Sequence, residues 1–281
     1  MSNLKAVLVP STTPTTTIYL AKSLRRIIYI TAVGLGIAFV ILPLVALLLA
    51  ALSGIDSALL NSQTILTATM LSVITTLIST LLMLVLGIPL ALWMSKSTKL
   101  WHKLIQSILT LPIVMPPAVA GLALLLTFGR QGLIGQYTSQ MGINIPFTTT
   151  AVIMAQVFVA MPFFLRSAVA GFQGVGLEYG DAARIDGAAE WQVSRYVTIP
   201  MSLPSLSAGL VLAWARALGE FGATILFAGS LEGRTQTLPL LVYNIFERDL
   251  RAAAWVGIIL IALALSALLI SQWLASANTR D

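Results

Sequence analysis

Arg216 and Glu220 stand four residues apart inside an otherwise apolar stretch that runs from Ala213 to Phe227. On one continuous helix this spacing puts a guanidinium and a carboxylate on the same face, where they can pair. Ions at membrane depth are costly and normally face a bundle interior or water. Two readings stay open: a pair that locks helix packing, or a pair beside a solute pathway that exchanges partners as a gate opens. The other chemistry-bearing residues are sparse. His102, the one histidine, lies between Trp101 and Lys103 at the edge of an apolar block and reads as an interfacial residue, not a ligand. Cysteine is absent, which removes disulfides and thiolate metal sites. No Gly-x-x-x-x-Gly-Lys-Ser/Thr loop occurs, so ATP hydrolysis by the P-loop route is excluded. Neither a His/Cys/acid cluster nor a Ser/His/Asp set is available for catalysis. Ser72 and Ser79 read as helix-packing residues. The expectation is a non-catalytic chain with no cofactor or metal of its own.

The elements that must position these residues are membrane helices. Of 281 residues, 58% are hydrophobic and only 9% charged, and the mean hydropathy is +0.94. A water-facing globule is nearer a quarter charged. The net charge of +6 does not mark a nucleic-acid partner, because the cations sit singly between apolar blocks. At about 20 apolar residues per crossing, six spans are predicted near 27–52, 65–94, 104–128, 149–171, 204–228 and 252–274. The first is longer than the apolar core of a signal peptide and reads as a retained helix. The span at 65–94 is overlong for one crossing, which calls for tilt or an extension beyond the bilayer. This divides the chain into an N-terminal tail (1–26, its first 20 residues loosely ordered), a six-helix domain (27–274) and a short C-terminal tail (275–281). The longest connection on the inner side is 172–203.

Orientation follows from the cations. All lysines (Lys5, Lys22, Lys96, Lys99, Lys103) fall on one side with Arg25, Arg26, Arg166, Arg184, Arg195 and Arg280. Arg130, Arg234, Arg248 and Arg251 fall on the other. The positive-inside rule then puts both termini in the cytoplasm. The outer arginines read as solvated loop charges, or as groups that draw an anion or contact an acidic protein surface. Pro89, Pro112, Pro116, Pro117 and Pro162 each remove a backbone donor inside a span. Pro116 and Pro117 are candidates for a bend around a pathway. No internal repeat is evident, which weighs against a secondary transporter built from two halves.

The segment from Glu178 to Pro200 is rich in small residues and acids, and falls on the cytoplasmic side. Ala182, Ala183, Ile185, Ala188 and Ala189 favour short helices, which Gly187 interrupts. A small-residue face lets another protein approach the backbone closely, so the segment reads as a docking element. Binding-protein-dependent ABC permeases carry here a loop of pattern E-A-A, three residues, G, nine residues, then I-x-L-P. This chain resembles them, with Asp181, Ala182, Ala183, then Gly187, then Val197, Thr198, Ile199 and Pro200 at matching spacing. It departs by Asp at 181, Val at 197 and Ile at 199. The resemblance implies an all-α type I ABC importer permease with a cytoplasmic coupling helix over Asp181, Ala182, Ala183, Gly187, Ala188 and Ala189. It further implies a homodimer in the bacterial inner membrane, two ATPase subunits that hold ATP and Mg, and an external substrate-binding protein.

The stretch Ala215 to Thr224, the following Gly233 to Leu240, Leu111 to Val119, and the turn Phe128 to Gly132 are similar to the molybdate and tungstate branch of these permeases. Sulfate and thiosulfate permeases share much of the fifth span. The resemblance therefore implies a tetrahedral oxyanion as cargo, molybdate first, with tungstate or sulfate and thiosulfate as alternatives. A self-sufficient secondary transporter would call for several unpaired intramembrane acids, and only Glu220 qualifies.

Overall fold

The computed structural model describes residues 15–53, 62–96 and 99–277, and these are helices and turns throughout. The predicted tail residues 1–14 and 278–281 lie outside the described residues. The chain divides into two units, Met1–Leu49 and Ala50–Asp281. In the first lies most of α1 (Thr15–Leu52), whose residues 24–46 are all exposed and largely apolar, with Phe39 82% exposed. A helix of that kind has lipid as its solvent. It begins before the predicted span because Leu20, Ala21, Leu24 and Arg25 are good helix formers, so residues 15–20 are helical and not loose tail.

The second unit is built on α2 (Ser62–Ser95), α6 (Thr149–Gly174) and α10 (Leu203–Leu218). The 34 residues of α2 run unbroken through Pro89, so the overlong span is one long helix. Thr148 caps α6, its hydroxyl accepting from the Ala151 N–H. Phe164, Leu165, Met83, Ala213 and Ala217 are buried where the three helices meet. The α6–α10 crossing is close because it is made of small residues. A Cβ on Gly209 would lie 2.5 Å from Ser167 Cβ, and one on Gly171 the same distance from Ser205 Cβ. Gly209→Leu is therefore expected to cost about 1–3 kcal/mol by overpacking, with Gly209→Ala milder. Thermal unfolding of the detergent-solubilised protein would read the difference.

Two predicted spans are not single helices. The third is split into α3 (Leu100–Thr110), a 3-10 turn (Leu111–Ile113) and α4 (Pro117–Phe128), bent by 111°. Pro117 stands in the first turn of α4, where a missing N–H costs nothing, and Pro112 in the 3-10 turn that directly continues α3. The fifth ends at Leu218, the last residue of α10, and resumes as α11 (Gly222–Phe227). The connection after α4 holds α5 (Gly135–Gln140), and the one before α13 (Leu250–Ala277) holds α12 (Leu238–Phe246). Between the predicted spans 204–228 and 252–274 the sequence leaves 229–251 as an expected polar connection. The apolar run Leu238 to Phe246 is instead a nine-residue helix whose Leu238 and Leu241 pack with Ala68 and Val256. Between α6 and α10 lie α7 (Leu177–Ile185), α8 (Glu190–Val193), a π-helical turn (Ser194–Thr198) and α9 (Ile199–Met201). Residues Glu190–Met201 meet α10 at 72°.

Candidate functional site

α7 ends in a motif that sets the direction of the chain. The Ala188 N–H donates to Ala183 O at 2.9 Å and the Gly187 N–H to Arg184 O at 3.0 Å. Together these bonds form a Schellman cap, which needs a left-handed residue at its centre. Gly187 supplies it with φ +90°. The Gln192 side chain then accepts from the Ala189 N–H at 2.7 Å and starts α8. Asp181, Ala182, Gly187 and Ala189 are exposed, and Ala183 and Ala188 half-buried, so all six predicted docking residues lie on one helix–turn–helix. Ile185, Trp191 and Tyr196 are exposed beside them.

Ion pairs brace this segment. Arg184 Nη1 donates to Asp181 Oδ1 at 2.7 Å and its Nε to Glu190 Oε1 at 2.6 Å. Lys96 Nζ, at the end of α2, reaches Glu190 Oε2 at 3.3 Å. Hydrogen bonds from Arg184 and then Lys96 hold the Glu190 carboxyl below its ordinary range, and the bond to Glu190 raises Arg184. A carboxylate with a lowered folded pKa stabilises above its unfolded pKa and stops doing so as pH falls through the folded value. Amide protection over residues 177–193, relative to the intrinsic exchange rate at each pH, is expected to stay flat down to about pH 4.3, the ordinary Glu value, and to fall below it. Arg184→Ala should flatten that acid limb. These groups are exposed, so salt should weaken the effect.

The second candidate lies at the break in the fifth span. Glu220 is 1% exposed and sits outside both α10 and α11, so the pair with Arg216 is not the intrahelical pair expected from spacing. Gly219 is the C-cap of α10. Glu220 Oε1 accepts from the Ala223 N–H at 2.8 Å and so caps α11. Its Oε2 lies 2.6 Å from Arg216 Nη2, a charge contact without hydrogen-bond alignment. One carboxylate thus holds a helix start with one oxygen and an arginine with the other. Thr224, one turn along, has a buried hydroxyl with no partner among the described residues.

The structure brings the proline pair to this break. Pro116 is the N-cap of α4 and Pro117 its first residue, and Gly222 packs directly against the Pro117 ring. There is no room for a Cβ at 222, which is why a glycine opens α11. Two interrupted helices, α4 and α11, therefore pack together near Glu220. Broken helices at membrane depth are tolerated only inside protein or along a cavity.

Spacing offered no sign of the buried polar seam beside them. Ser79 Oγ donates to Gln156 Oε1 at 2.8 Å, and Gln156 Nε2 donates to Thr75 Oγ1 at 3.2 Å. The Leu238 N–H donates to Ser72 Oγ at 2.8 Å, tying α12 to α2. Ser72 and Ser79 thus pack helices as expected, while Gln156 was missed, being a lone amide in an apolar run. The His102 ring lies tilted against Trp101 and Trp93, at ring distances of 3.6 and 4.8 Å. Among the described residues no group of three His, Cys, Asp or Glu could hold a metal ion.

Comparison with known proteins bears on both places. Residues 83–280 match the model of the binding-protein-dependent transport system inner membrane component. The chain is 42% identical over 241 residues to the molybdenum transport system permease protein ModB of Mycobacterium tuberculosis, covering 86% of this chain and 91% of that one. It is 38% identical over 211 residues to ModB of Escherichia coli, covering 74% and 92%. Among solved structures, a bacterial alginate ABC transporter in complex with its alginate-bound periplasmic protein superposes with a TM-score of 0.73 over 92% of this chain and 96% of that one. The MetNI methionine ABC transporter, inward facing, gives 0.62 over 77% and 96%. Identities of 18% and 17% make these last two a likeness of fold alone. The matched region takes in α7, its Schellman cap and the broken fifth span, and this chain belongs to the family of inner membrane components of binding-protein-dependent transport systems.

Proposed function

We propose that the chain is the membrane-spanning subunit of an ATP-driven importer of molybdate. The observation that carries the cargo is the 42% identity, over 91% of its length, to a protein named as a molybdenum transport permease. Six crossings fit the helices if α3–α4 and α10–α11 each count as one broken crossing and α13 forms the last. The cation distribution then puts both termini and the 172–203 segment in the cytoplasm. The working unit is a homodimer in the inner membrane with two ATPase subunits, which hold ATP and Mg, and a periplasmic binding protein that delivers the anion. This chain supplies coupling and no catalysis.

The residues from Asp181 to Ala189 are the coupling helix in this reading. ATPase closure moves α7, and α8, the π turn and α9 carry that motion without a loop into α10. Arg216 rides near the end of α10, while Glu220 is fixed to α11 through the Ala223 N–H. A shift of α10 against α11 stretches the Arg216–Glu220 contact, and α11 leans on Pro117 of α4. Arg216, Glu220, Pro116 and Pro117 are thus the gate. The free energy is the partners' ATP, spent on a population shift between inward- and outward-open states.

Uptake of molybdate into proteoliposomes holding the complete complex tests this. Uptake should require ATP, the ATPase subunits and the binding protein. Preference for tungstate, or for sulfate or thiosulfate, would reassign the cargo. Uptake by this chain alone would mean a secondary transporter and sink the proposal.

A further inference from the structure

The four arginines assigned to the outer side do not share one environment. Arg248 lines a cavity of about 450 Å³ together with Glu232, Glu247 and Asp249, and the Glu232 carboxylate also accepts from the Thr64 hydroxyl. In that cavity three acids surround one cation. Arg130 and Arg234, by contrast, meet across a separate cleft of about 950 Å³ with Gln131, Asn144, Phe147 and Thr148. Among the described residues no acid lines this cleft, and neither arginine forms an ion pair. The positive end of α6 opens beside it and adds to the same sign.

Both arginines stand on fixed backbone. Arg234 O accepts from Thr149 Oγ1 at 2.9 Å, which pins it to the start of α6. Arg130 lies in a turn closed by the Gly132 N–H on Gly129 O at 2.7 Å and the Leu133 N–H on Leu126 O at 3.0 Å. Between them Phe147 is held at φ +60°, the left-handed region, where a bulky side chain is strained. Such strain persists only where surrounding contacts impose it. Here the Phe147 N–H donates to Phe227 O, the last residue of α11. The cleft therefore rests on the same short helix that Glu220 caps.

We propose that this cleft is the seat for an acidic side chain of the external binding protein, with Arg130 and Arg234 gripping its carboxylate. The proposal rests on the importer reading above. A free oxyanion is the poorer occupant. The cleft is far larger than a four-oxygen anion, and both guanidinium groups are exposed, whereas a tight anion site encloses its ligand. Exposed, unpaired cations suit partner steering and register across a protein interface. Contact here would reach α11 through Phe147, so docking and the gate share one element.

The test titrates fluorescently labelled binding protein onto the complete complex in lipid nanodiscs, with assembly of permease and ATPase subunits checked by size exclusion. The double variant R130E/R234E should raise Kd at least about tenfold, while R130K/R234K, which keeps the charge, stays within about threefold of wild type. Added salt should weaken wild type more than R130E/R234E. Replacing the paired acid on the binding protein with lysine should recover affinity for R130E/R234E. An unchanged Kd for R130E/R234E overturns the proposal. So does binding of molybdate alone that is lost in R130E/R234E with the protein–protein Kd unaltered, because the cleft would then read the anion. If wild-type complex binds the partner but imports no molybdate, the cargo reading fails and the docking seat stands. If it binds no partner at all, both fall.

Discussion

Glu220→Ala should be among the most damaging single substitutions in the chain, costing about 3–5 kcal/mol, because it removes one partner of a buried ion pair. Two losses combine. The Ala223 N–H loses its cap, and Arg216, with a side chain only 29% exposed, loses its counter-charge. Glu220→Gln keeps an oxygen for the Ala223 N–H but leaves Arg216 uncompensated, so it should fall between Ala and wild type. The double variant Arg216→Met with Glu220→Gln removes both charges and keeps the cap. It should recover most of the stability lost by Glu220→Ala, since replacing a buried pair by neutral groups is often nearly harmless. Thermal unfolding of each variant in detergent gives this ranking. Transport separates packing from gating. If Arg216 and Glu220 only hold helices together, the folded double variant transports at the wild-type rate. If they are the gate, it folds and assembles but loses uptake at least about tenfold, which is about 1.4 kcal/mol on the transition between states.

The second large effect lies at Gly187. Nothing stands within 4 Å of a Cβ at this position, so a side chain there meets no steric obstacle. The obstacle is the backbone. At φ +90° a β-branched residue is strongly disfavoured, and a left-handed conformation costs an ordinary L-residue about 1–2 kcal/mol. Gly187→Val should break the Schellman cap, let α7 run on, and swing Ala188 and Ala189 out of register with Asp181 to Ala183. Gly187→Asn, which tolerates positive φ, should keep most of the activity. The segment is exposed, so neither variant should move the unfolding temperature by much. Gly187→Val should instead uncouple the partners, with ATP hydrolysis no longer stimulated by the binding protein and uptake down about tenfold or more. Equal uptake by Gly187→Val and wild type would remove this turn from the coupling path.

These residues also show where sequence reading reached and where it stopped. The second and fourth spans were legible because a membrane helix must be about 20 apolar residues long, and α2 and α6 satisfy that in unbroken runs. The turn at Gly187 was legible because a glycine between two alanine-rich stretches carries its own local physics. The break at Gly219 to Phe221 was not. A four-residue spacing of opposite charges is what a helix would use, and only tertiary packing against Pro117 makes the chain stop there. α12 was hidden for a related reason, its nine residues being too few to register as a crossing. The bond from Leu238 to Ser72 joins positions 166 apart, and no local pattern encodes it. The four outer arginines look equivalent along the sequence, and only folding segregates Arg130 and Arg234 into a cleft without acids while Arg248 shares a cavity with three.

In the proposed function this chain moves an oxyanion only when driven from outside itself, through the α7 turn. The most direct measurement is ATP-dependent molybdate uptake by the reconstituted complex, wild type beside Gly187→Val, with the permease alone as control. The wild-type complex should take up molybdate, the variant should lose about tenfold or more, and the permease alone should show none. Uptake by the permease alone, or full uptake with Val at 187, would contradict the proposed function.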